Sequence, residues 1–100
     1  MADLVLGIGS SHSPQLSTRP EGWHLRGERD KGNTELIGTD AIVSNYEDLL
    51  SRIDVPRIAK EITEEKFQER HERNQKGINK LTEALYKANL DILVMVGDDQ

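Results

Sequence analysis

Two apolar runs near the ends of the chain constrain its fold most: Leu4-Val5-Leu6-Gly7-Ile8 and Ile92-Leu93-Val94-Met95-Val96. Neither alternates apolar with polar residues, as a strand with one wet face does, and neither is long enough to stand as a helix. Each reads as a strand buried on both faces. Two such strands joined through helices are expected to lie parallel in one sheet, with a right-handed crossover between them. The expected fold is therefore α/β, with parallel-type strands and crossover helices, over residues 1–100 as one part of a single domain. A sheet of two strands is marginal alone, so it is incomplete and requires further sequence or a partner chain.

Between the runs the pattern is uneven. Residues 13–40 hold Pro14, Pro20 and several glycines among many charges with no sustained period, which predicts a long loop with one helical turn near Trp23 to Arg29. Leu49, Leu50 and Ile53 share a helical face from Tyr46 to Ile53, with Asn45 or Ser44 as N-cap, and Pro56 bars continuation past Val55. Farther on, Ile58, Ile62 and Phe67, then Ile78, Leu81, Leu85 and Ala88, recur at helical spacing. These predict one helix or two between Arg57 and Ala88. Residues 64–76, His71 among them, are charged enough to read as a solvated face, Gly77 is a candidate kink or break, and Asn89 is a stop signal.

Composition narrows the chemistry. A formal net charge of −5 argues against nucleic acid and anionic lipid as partners, since both are bound mainly through Lys and Arg. No cysteine is present, so any metal must be held by His, carboxylate, amide or water. Asp3 stands where a signal peptide would be basic, and Leu4 to Ile8 is far too short to span a bilayer. The expectation is a soluble, cytoplasmic protein with no membrane partner.

In open α/β sheets the ligand crevice lies beyond the carboxyl ends of the strands. Here those ends carry Ser10, Ser11 and His12 after the first run and Asp98, Asp99 and Gln100 after the second. His12 follows its strand directly, where a rigid backbone can hold a ligand nitrogen, and its small neighbours Ser11 and Ser13 leave room for a ligand. Spacing alone fits equally a loop histidine bonded to a carbonyl. A dinucleotide loop is excluded because G-x-G-x-x-G needs glycine where His12 stands, and no G-x-S-x-G nucleophile elbow occurs. His24 beside Trp23 reads as a packed pair or a ligand, and Trp23 and Tyr46 as core anchors or pocket walls.

Leu6-Gly7-Ile8-Gly9-Ser10-Ser11-His12-Ser13-Pro14, together with Asp91-Ile92-Leu93-Val94-Met95-Val96-Gly97-Asp98-Asp99-Gln100, resembles the class III extradiol ring-cleavage dioxygenase superfamily. Within it the chain is similar to protocatechuate 4,5-dioxygenase catalytic subunits and 3-O-methylgallate dioxygenases. The likeness covers both ends of the chain and is weak across residues 30–90. It implies the N-terminal portion of a catalytic domain for aromatic-compound catabolism, in which Fe(II) and dioxygen open a catechol- or gallate-type ring. The family's first-strand histidine is an iron ligand, which places that role on His12.

The 2-His-1-carboxylate arrangement that the resemblance implies leaves metal positions open for substrate and dioxygen. Its second histidine would fall at Gln100, a departure, because an amide oxygen lacks the imidazole nitrogen that suits iron. Gln100, Asp99, Asp98 and His24 are then the candidates for further metal or outer-shell contacts, and Ser11, Ser13 and Trp23 for the substrate pocket. No catalytic acid or base is assigned within the chain. The departure at Gln100 also motivates an alternative, a non-catalytic structural or binding subunit of the same fold.

Overall fold

The structure, a computed structural model, describes residues 1–97. Its spine is a 25-residue helix, which we label α5, over Glu64–Ala88. Thr63 starts it, its hydroxyl accepting from the Lys66 N–H at 3.3 Å, and Glu64 and Glu65 complement the helix dipole in the first turn. Asn89 ends it in the left-handed conformation at φ 45°, at the stop signal read from the sequence. Gly77 does not break the helix: one continuous element runs through it.

The segment read as a long loop is more ordered than its composition suggests. It forms α1 (Pro14–Ser17), a 3₁₀ turn (Pro20–Gly22) and α2 (His24–Asp30). Ser13 caps α1 and both Pro14 and Pro20 sit at helix starts, where a missing N–H costs nothing. Trp23 follows the 3₁₀ turn and is the one buried hydrophobic residue among those described, at 6% exposure. Its indole N–H donates to the Thr18 carbonyl at 3.0 Å while its ring packs on Phe67 and His71 of α5. The charged first half of α5 is therefore a packing surface, and His71 is half-buried where a solvated side chain was expected.

A two-residue hairpin follows, β1 (Leu36–Ile37) antiparallel to β2 (Val43–Ser44), with Leu36 opposite Ser44 and Ile37 opposite Val43. Its turn places Ala41 at φ 61°, and a Cβ added at Gly38 would stand 2.8 Å from Asp40 Oδ1 and 3.1 Å from Leu49 Cδ2. Only glycine fits there without displacement. Helix α3 (Tyr46–Ser51) begins on the Asn45 cap expected for it, and α4 (Val55–Ala59) on Asp54, whose carboxylate accepts from the Arg57 N–H.

The expected α/β fold is not what forms. The described residues are mostly helical, and their one sheet is the antiparallel hairpin of β1 and β2, two segments that sequence reading had not assigned as strands. Leu4–Ile8 and Ile92–Val96 form no regular secondary structure and join no ladder. Met1 to Val5 and Ala88 to Ile92 border one hollow, and Leu4 to Ser10 and Leu93 to Val96 border the next, so the segments lie side by side. Two strands buried on both faces need a layer on each side. Here Leu85 of α5 borders the hollow they share, and Leu4, Val94 and Val96 remain 96%, 80% and 97% exposed. The radius of gyration, 18.3 Å, exceeds the roughly 13 Å of a close-packed chain of this length, as expected when Trp23 is the one buried hydrophobic residue among those described.

Candidate functional site

His12 lies between the irregular N-terminal segment and α1, with its side chain exposed. The serines on either side act on the backbone. Ser11 Oγ accepts from the Ser13 N–H at 3.0 Å, and Ser13 Oγ accepts from the Gln15 N–H at 3.3 Å. These two local bonds define the turn that carries the imidazole, as Ser-based turns and caps do. His24 is the first residue of α2 and is exposed, whereas Trp23 is sealed against α5 and borders a hollow of about 60 Å³ with Pro14, Gln15, Thr18 and Arg26.

Iron would find an incomplete donor set here. Among the described residues no three His, Asp or Glu side chains gather where one cation could be held. His12 and His24 do not form such a group with any carboxylate among the described residues. Asp98, Asp99 and Gln100, the other candidate ligands, lie outside the described residues.

Two clusters escaped the sequence reading. Arg52 at the end of α3 donates to Asp40 Oδ2 at 2.9 Å and to Asp48, which also accepts from the Ser44 hydroxyl. The hydrogen bond from Ser44 holds the Asp48 carboxyl below the usual aspartate range, with Arg52 adding to the effect against partial desolvation. The Ile42 N–H does the same for Asp40, again helped by Arg52 and opposed by desolvation. The i, i+4 spacing of Asp48 and Arg52 could have signalled half of this cluster. Asp40 could not be found that way, since the hairpin turn brings it in. The second cluster is His71 against Trp23, with Nδ1 buried and without a hydrogen-bond partner among the described residues.

An apolar surface lies elsewhere. Leu36, Ile37, Leu49, Leu50, Ile53 and Ile58 line a groove of about 530 Å³ between the hairpin, α3 and α4, with Asp30 and Tyr46 on its wall. Beside the 3₁₀ turn, Glu21, Glu64, Glu65, Glu69 and Glu72 line an acidic hollow. None of the described helices is long and apolar enough to cross a membrane.

No family model, curated protein or solved structure matches the chain.

Proposed function

We propose that this chain contributes His12 to a non-haem Fe(II) extradiol dioxygenase that opens a catechol- or gallate-type ring with dioxygen. The observation that carries the reading is the Gly7-Ile8-Gly9-Ser10-Ser11-His12-Ser13-Pro14 motif, which carries an exposed imidazole set between two turn-forming serines. Further support comes from the hollow that Leu6, Gly7 and Ile8 share with Leu93, Val94 and Met95, because these belong to the two segments that carry the family resemblance. Iron, when bound, would supply a Lewis-acidic centre that orients the ring hydroxyls and dioxygen.

In this reading the chain works with a completing segment or subunit. One histidine cannot hold iron alone, and the described residues gather no three-ligand group, so the remaining donors come from Asp98 to Gln100 or from that completing partner. Ser11 and Ser13 border the substrate, while Trp23 anchors the segment after His12 to α5. The setting is cytoplasmic aromatic catabolism.

The test is Fe(II) titration of the complete assembly, with oxygen uptake on gallate- and catechol-type substrates as a second readout. Stoichiometric binding that His12→Ala abolishes supports the enzyme. Absence of iron binding in the assembly selects the alternative, a non-catalytic structural or binding subunit.

A further inference from the structure

We propose that the groove between the β1–β2 hairpin, α3 and α4 binds an amphiphilic cation, a molecule with a hydrocarbon body and an ammonium head, at a place separate from His12. The body of the site is Leu36, Leu49, Leu50 and Ile58, and its volume of about 530 Å³ suits a mid-length hydrocarbon. Pockets of a few hundred Å³ with apolar walls and few polar groups are the usual form of small-molecule sites. Exposed apolar side chains continue along its edge, with Ile37 at 70% and Ile62 at 59% exposure.

The head-group chemistry follows from the two polar side chains that line the wall among the described residues, Asp30 and Tyr46. Glu28, on the same helix as Asp30, is neutralised by Lys31 at 2.7 Å, whereas Asp30 has no ion-pair partner among the described residues. Tyr46 lines the same groove, so a carboxylate and an aromatic ring share its wall. A free carboxylate and an aromatic ring on one groove attract an ammonium by charge and by the ring's quadrupole, and the carboxylate repels another carboxylate or a phosphate. Hydrocarbon in the groove and cation at Asp30 satisfy both halves of the site together.

The experiment is a methyl-detected NMR titration of the full chain with n-octylammonium, octanoate and octanol below their aggregation limits. Octylammonium is expected to shift the methyls of Leu49, Leu50 and Ile58 saturably, and to bind about fivefold more tightly than octanol, the ratio one exposed charge pair supplies. Octanoate should bind more weakly than octanol. Asp30→Asn, an exposed substitution with no packing to lose, should erase the preference for the cation while leaving octanol binding intact. Equal or tighter octanoate binding, or a preference that survives Asp30→Asn, overturns the proposal. So do shifts confined to Leu4–Ile8 and Ile92–Val96, or groove methyls that move with protein concentration alone, which would identify a second copy as the occupant.

Discussion

The Trp23 indole meets the Phe67 ring at a centroid separation of 5.5 Å and an interplanar angle of 54°, and this tilted pair joins the helical N-terminal segment to the first half of α5. Tilted aromatic pairs contribute about 0.5–1.5 kcal/mol beyond the area they bury. Phe67 is half exposed, so Phe67→Ala should cost about 1–2 kcal/mol, less than the roughly 3–5 kcal/mol of a fully buried ring. Urea unfolding followed by the emission of Trp23, the chain's one tryptophan, reads this as a lower midpoint with red-shifted native fluorescence. An unchanged midpoint and spectrum would mean that the contact carries no stability.

Gly77 lies inside α5, and a Cβ built there meets nothing within 4 Å. With space available and a helical backbone, Gly77→Ala should stabilise α5 by about 1 kcal/mol through backbone entropy. Thermal unfolding by far-UV circular dichroism should show a raised midpoint. A lower one would place a break at position 77, as the sequence had suggested.

The Arg52 cluster makes stability depend on acid. Asp48 and Asp40 both have carboxyls held below their ordinary value of 3.8, Asp48 first by Ser44 and Asp40 first by the Ile42 N–H. A depressed carboxyl stabilises the folded state above the unfolded value and loses that contribution as pH falls through the lower, folded one. Loosening of the hairpin against α3 should therefore begin below about pH 4, the ordinary aspartate range. Amide hydrogen exchange of Val43 and Ser44 reports it. Arg52→Gln should weaken the dependence without abolishing it, because the Ser44 and Ile42 bonds remain; an unaltered pH profile would assign no role to Arg52.

Local signals were legible in the sequence where the chemistry is local. Asn45 capping α3, Asn89 ending α5 and the apolar repeat Ile78, Leu81, Leu85 all depend on neighbours within a turn or two. The turn near Trp23 to Arg29 was also visible, as α2. The sheet was not, for a physical reason. Continuous apolar runs such as Leu4–Ile8 and Ile92–Val96 announce a demand for burial on both faces, but the ladder needs covering layers that the run itself does not encode. In the described chain those layers are lacking, and the strands that do pair, Leu36–Ile37 and Val43–Ser44, are too short to leave a periodic trace. His71 was misplaced because charge around it, from Glu69 to Arg73, masked its position on the face that meets Trp23. Of the candidate site, His12 and its two serines were legible by motif, while Asp98, Asp99 and Gln100 fall outside the described residues.

The proposed chemistry turns on His12, and Fe(II) binding measures it most directly. Anaerobic titration of the complete assembly, monitored by calorimetry and by metal content after desalting, should give one Fe(II) per chain. His12→Ala should lower the affinity by at least about a hundredfold, as expected when one of three protein ligands is lost. Equal Fe(II) binding by the wild-type and His12→Ala assemblies, or none by either, would contradict the assignment of His12 as an iron ligand.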